Sequence, residues 1–192
     1  MKMFKGIKGV IILVILLLLV LGYYYYLSNK TKSEQDTFVE STKVQEVLMR
    51  DLEKNYPPSP KEVIKYYSDI TMCFYNETYT EDELDEMAMV AWRLFDTELA
   101  SNMEKEEYLV NLREDIQEYK DNDYKISSYS TTSSINIENE KFTKDGYEWT
   151  RVYCYYYLRK GTKVSEIDQV FLLRKDELGY WKIYGWELAN KK

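Results

Sequence analysis

The spacing of apolar positions changes along the chain, and each change marks a new element. An uncharged run from Gly9 to Asn29 comes first, and Val10 to Leu27 within it is almost wholly apolar or aromatic. As a helix that stretch is about 27 Å long, close to the ~30 Å hydrocarbon core of a bilayer. A membrane-spanning helix over residues 9–27 is therefore expected. The polar stretch 28–36, SNKTKSEQD, reads as an exit linker. From Thr37 to Lys54 helical spacing begins: Val44, Val47, Leu48 and Leu52 recur on one face, with Phe38 and Val39 a turn and a half before. This predicts a stalk helix ended by NYPPSP. The same stripe would also serve to pack the helix on the domain, or to pair two stalks, although it lasts barely two heptads.

Three further helices follow. SPKE at 59–62 is a compact start, with Ser59 as N-cap, Pro60 at the first helical position and Glu62 closing a capping box. The helix places Val63, Tyr67, Ile70 and Phe74 on one face and runs to about Tyr75. TEDE at 80–83 opens a second, burying Leu84, Met87, Ala88, Ala91, Leu94, Phe95 and Leu99. A third, over 104–120, uses Tyr108, Leu109, Leu112, Ile116 and Tyr119. The acids from Glu81 to Glu86 complement a helix dipole. They lack the glycine and alternating spacing of a calcium loop. Asn76-Glu77-Thr78 fits the N-x-T glycan acceptor pattern.

After Asn122 the period becomes two. KISSYSTTSSINIENE, 125–140, is rich in β-branched and hydroxyl residues and predicts a strand; TKDGY supplies an Asp-Gly turn. The next strand, Tyr147 to Lys160, puts Val152, Cys154, Tyr156 and Leu158 on one face and Trp149, Arg151, Tyr153, Tyr155 and Tyr157 on the other. Two more strands, DQVFLLRK and YWKIYGWEL, are joined by DELGY. Helices first and antiparallel strands afterwards indicate an α+β domain. The expected layout is a cytoplasmic tail over 1–8, the span over 9–27, linker and stalk over 28–58, and an extracytoplasmic domain over 59–192.

Charge sets the orientation of the span. Lys2, Lys5 and Lys8 precede it, whereas Lys30 and Lys32 are soon joined by Glu34 and Asp36; the positive side stays in the cytoplasm and the domain lies outside the cell. A secretory signal cut after Gly22 is the competing reading. The length of the apolar run, the lack of an A-x-A-like site and the interfacial belt Tyr23 to Tyr26 favour the anchor. The first cysteine, Cys73, is too far along for lipid attachment.

Composition narrows the chemistry. With 26 Lys and Arg against 33 Asp and Glu, the net charge is −7, which argues against nucleic acid and other polyanions as partners. There is no histidine, so Ser-His and Cys-His nucleophile pairs and the usual zinc sites are excluded. No metal or cofactor is expected. Cys73 and Cys154 read as two buried free thiols, although an exported location would permit one bridge between them. Twenty tyrosines supply half-polar rings suited to sheet surfaces and interfaces. The row Trp149, Tyr153, Tyr155 and Tyr157 is the candidate binding surface, for an apolar ligand, a second copy or another envelope protein. The competing view is a solvated tyrosine row with Arg151 and Arg159 over its rings.

Three capped helices followed by hairpin strands ending in GYWKIYGWEL, Gly179 to Leu188, resemble the nuclear transport factor 2-like fold over about residues 59–190. The resemblance implies a bent antiparallel sheet wrapped around helices as a cone. NYPPSPKEVIKYYSDI, CFYN and QVFLLRKDELGYWKIYGWEL also look like an uncharacterised family of small membrane-anchored proteins from Clostridia-type bacteria. The fold hosts enzymes, binders and scaffolds. Steroid isomerases and polyketide cyclases similar to it use a Tyr-Asp set or a His-Asp pair inside the cone; here only the Tyr-Asp version remains, and no Asp matches the catalytic position. Inner-membrane scaffold subunits of secretion and conjugation machines look similar in layout. The leading expectation is a non-catalytic, anchored module that binds a partner or a small apolar ligand.

Overall fold

The computed structural model of the chain describes residues 42–189 together with Tyr23. Apart from Tyr23, the segments read as span and linker lie outside the described residues. No helix among the described residues is long and apolar enough to cross a membrane. The domain is α+β: all but one of the described helices precede a five-stranded antiparallel sheet in which β1 (Lys125–Thr131), β3 (Tyr147–Lys160), β4 (Lys163–Lys175) and β5 (Trp181–Leu188) lie side by side. The sequence leads to a four-stranded sheet; the fifth strand, β2 (Phe142–Lys144), is three residues long, lies in the stretch read as leading into the Asp-Gly turn, and pairs with the start of β3.

The compact unit begins at Thr42 rather than at the Ser59 cap. Helix α1 (Lys43–Leu48) is capped by a reciprocal Thr42/Gln45 box. Its Val44 and Val47, with Leu52 beyond it, are buried in the domain core. Of the alternatives for this stripe, packing on the domain is the one found, and the predicted helix is shortened because the chain turns at Met49. Tyr66 on the next helix fixes the turn by donating to the Val47 carbonyl at 2.7 Å.

Helix α2 (Pro60–Asn76) starts at Ser59, whose hydroxyl accepts the Glu62 N–H. The box is not reciprocal, since the Glu62 carboxylate pairs with Lys65 instead. Val63, Ile64, Ile70 and Phe74 are buried, so α2 is the central helix of the core. Its end is tied to β1 by Asn76, which donates to the Ile126 carbonyl and accepts the Ile126 N–H. The side chain that fits the glycan pattern is thus already engaged.

Helix α3 (Glu81–Trp92) carries the predicted Thr80/Glu83 box and buries Leu84, Met87, Ala88 and Ala91. It stops earlier than its apolar pattern suggests. Leu94 and Phe95 remain buried, but in a turn past the helix end that bridges β5: the Leu94 carbonyl accepts the Ile183 N–H at 2.9 Å, and the Asp96 N–H donates to the Ile183 carbonyl at 2.8 Å. Asp96 then caps α4 (Thr97–Ser101), and Leu99 belongs to that helix. The Asp96 carboxylate is buried and takes the Arg174 guanidinium from β4 through Nε at 3.0 Å and through Nη2. Helix α5 (Lys105–Asp121) follows as predicted, but only Ile116 of its expected face is buried.

The stretch predicted as one strand over 125–140 divides. Its first half is β1; its second is helix α6 (Ser134–Asn139), because Ser133 caps the Asn136 N–H and Ile137 drops into the core. Thr150, fully buried, donates to the Ile137 carbonyl at 3.1 Å. The Asp-Gly turn is present at β2–β3, with Asp145 and Gly146 both at positive φ, 52° and 82°. That is the requirement of a two-residue hairpin loop whose twist matches its strands.

Arg174 links a buried carboxylate to the sheet while lying over the rings of Tyr147, Trp149 and Tyr184 at 4.9–5.3 Å. Removing one partner of such a pair strands the other charge. Arg174→Met is expected to lower unfolding stability by about 3 kcal/mol, read as a lower urea midpoint with an unchanged slope. An unchanged midpoint would show the pair to be dispensable.

Candidate functional site

β3 separates two surfaces. Thr150, Val152, Cys154, Tyr156 and Leu158 are buried beneath the helices, while Tyr153, Tyr155 and Tyr157 on the other face are half-exposed. The predicted row is therefore present in part. Tyr155 lies opposite Asp168 and Tyr157 opposite Glu166 on β4, so carboxylates edge the row. Trp149 does not belong to it. At 6% exposure it is covered by the β2 hairpin, with Phe142 stacked at 6.3 Å and Tyr184 edge-on at 4.9 Å. Its indole N–H donates to the Lys144 carbonyl at 3.0 Å. Arg151 lies over Phe142 and not over the tyrosines.

The more enclosed site is on the helical side. A cavity of about 420 Å³ lies between α2, α5 and the inner sheet face. It exists because α5 stands off the sheet. The helix is held by Ile116, by ion pairs from Arg113 to Glu81 and Asp85, and by aromatic contacts at both ends, Tyr108 with Trp92 and Phe95, and Tyr119 with Tyr75. Tyr108, Leu112 and Tyr119, read from sequence as core, are cavity wall instead.

Aromatic rings form most of the apolar lining. Tyr67, Phe74 and Tyr75 come from α2, while Tyr156 and Trp186 come from β3 and β5. Tyr67 packs edge-on against Phe171 at 5.6 Å, and Tyr75 and Tyr119 lie 4.4 Å apart. Polar groups are fewer: Thr71 and Gln169 within, and Asn102, Asn111, Glu104, Glu107 and Asp115 on the α5 side. Sequence periodicity marks Tyr67 of α2 and Tyr108 and Tyr119 of α5 as inward-facing, but not Tyr75. It does not reveal that Trp186, at the far end of the chain, meets them.

Burial dominates the proton chemistry of these rings. It pushes the Tyr108 phenol from 10.0 up to about 12 and raises those of Tyr67, Tyr75 and Tyr156. Tyr119 is raised too, by burial first and then by the Asp115 charge. Ser68 and the Tyr156 hydroxyl are hydrogen-bonded at 2.8 Å beneath the cavity, and the Cys154 thiol lies 3.4 Å from the same serine.

The carboxylate–phenol contacts lie elsewhere. Tyr129 donates to Asp69 at 2.6 Å and Tyr184 to Glu98 at 2.7 Å, and neither pair lines the cavity. No group of His, Cys, Asp and Glu among the described residues is arranged to hold a metal ion.

Cys73 on α2 and Cys154 on β3 are buried free thiols. Burial raises both, that of Cys73 to about 11. At pH 8 the folded protein is expected to react slowly with a thiol reagent and to yield two thiols per chain in denaturant; a bridge would yield none. A phenol raised on folding holds its proton more tightly in the native state, so the native state binds more protons once the unfolded tyrosines begin to ionise. Stability is therefore expected to be level in this respect below pH 10 and to fall as pH rises from about 10 towards 12. The check is a urea midpoint series, alongside tyrosinate absorbance that lags that of unfolded protein.

The family described as a domain of unknown function, DUF6715, matches residues 1–186. No curated protein matches the chain. The match takes in the N-terminal apolar run, every helix of the domain and all of the sheet but the end of β5, so the chain belongs to the DUF6715 family.

Proposed function

We propose that this protein is a membrane-anchored, non-catalytic module that binds a small, largely apolar ligand between α2, α5 and the sheet. The carrying observation is the cavity itself. Its volume of about 420 Å³ falls in the range of small-molecule sites, and its walls are aromatic with a few polar groups to fix orientation. Anchoring through residues 9–27, with the domain outside the cell, is supported by the uncharged run and the lysines before it. A cavity between helices and the inner face of an antiparallel sheet is also what a nuclear transport factor 2-like cone would provide.

Binding without chemistry is favoured by the side chains present. The cavity's phenols hold their protons well above neutral pH, and its carboxylates are exposed. The outer tyrosine row is the weaker surface for a second copy, because Asp168 and Glu166 along it would face like charges.

The uncharged dye N-phenyl-1-naphthylamine should bind the full chain saturably, with one site and a blue-shifted emission. Leu112→Trp, which fills the cavity from α5, is expected to weaken binding roughly tenfold while leaving the far-ultraviolet circular dichroism unchanged. Absence of saturable binding, or binding indifferent to the substitution, would set the reading aside.

A further inference from the structure

The charged groups lining the cavity are of one sign. Glu104, Glu107 and Asp115 open onto it, and none of its lining residues is Lys or Arg. Several carboxylates elsewhere on the domain are matched: Glu81 and Asp85 by Arg113, Asp96 and Glu98 by Arg174, and Glu148 by Lys175. Among the described residues these three have no ion pair and no side-chain hydrogen bond. The lysines near the two ends of α5 do not supply one. Lys105 lies over Trp92 at 5.8 Å and Lys120 over Tyr79 at 5.1 Å.

Helix electrostatics explains part of this arrangement. Acids in a first turn complement the helix dipole, which accounts for Glu106 and Glu107. It does not account for Asp115, about three turns further along. The Asp115 charge is felt by both Tyr75 and Tyr119, so it sits beside the closest ring pair of the cavity. Ring faces and carboxylates act in the same direction here. The quadrupole of a tyrosine or tryptophan face attracts a cation, the exposed carboxylates at its edge add Coulomb attraction that salt screens, and an anion meets repulsion from both. A neutral ligand would use the rings and leave the field of the carboxylates unanswered.

We propose that the ligand is a small organic cation: an amine or quaternary ammonium carried on an aromatic or apolar body. Its body lies among Tyr67, Tyr75, Tyr119 and Trp186, and its charge faces Glu107 and Asp115. This rests on the cavity being a ligand site and adds the sign of the ligand's charge.

Two probes of equal shape test it, phenyltrimethylammonium and its uncharged carbon isostere tert-butylbenzene, titrated into the full chain with tryptophan emission as readout. The cation is expected to bind roughly tenfold tighter at low salt, with the advantage shrinking at high salt. In the double variant Glu107→Gln, Asp115→Asn, both exposed positions on α5, its affinity is expected to fall to near that of tert-butylbenzene in the same variant. Equal or weaker binding of the cation, or a preference untouched by the double variant, overturns the charge assignment while leaving the cavity as a neutral-ligand site. Failure of both probes to bind overturns the charge assignment and the ligand-binding reading together.

Discussion

The helical side of this domain is positioned by the junction at Asp96. Four bonds converge there: the Leu94 carbonyl accepts the Ile183 N–H, the Asp96 N–H returns to the Ile183 carbonyl, and the Asp96 carboxylate receives two N–H groups of Arg174. Backbone and side chain thus fasten the end of α3 to two adjacent strands. The same carboxylate accepts the Glu98 N–H and starts α4. A charge this deeply buried is tolerable only with its partners in place, so the chain direction after α3 is specified rather than merely allowed.

The cavity follows from that constraint. Having been turned at Asp96, the chain runs through α4 and the Asn102 to Glu104 stretch, and α5 begins where its face looks across at α2 and the inner strands. Of its side chains Ile116 alone is buried. Ring contacts at its two ends and the Arg113 ion pairs then hold α5 at that distance. Space lined by tyrosines results where a well-filled core would otherwise be.

Much of the architecture is legible in the chain because it is local. Ser59, Thr80 and the Asp145-Gly146 pair act on groups within three residues, and each does what its type dictates. Alternation along 147–160 places Val152, Cys154, Tyr156 and Leu158 together, since a strand has no other way to arrange them. Local signals also mislead where two of them compete. At 125–140 the β-branched and hydroxyl residues favour a strand, yet Ser133 is a strong helix cap and Ile137 fills a gap beneath Thr150. Trp149 shares a face with the exposed tyrosines by parity, but a hairpin from 142–144 closes over it.

By itself the sequence determined the acidic balance, the absence of histidine, the uncharged N-terminal run, the order of helices before strands and the inward faces of α2 and β3, because each depends on composition or on neighbours a few residues apart. Only the tertiary structure decided that α3 breaks to bridge β5, that Asp96 finds Arg174 on β4, and that the apolar face of α5 borders a cavity shared with Trp186. Those outcomes depend on pairings between positions some eighty residues apart and on how closely two packed surfaces approach. Periodicity gives the direction of a side chain, whereas the distance to what it faces is set by the packing of the whole domain.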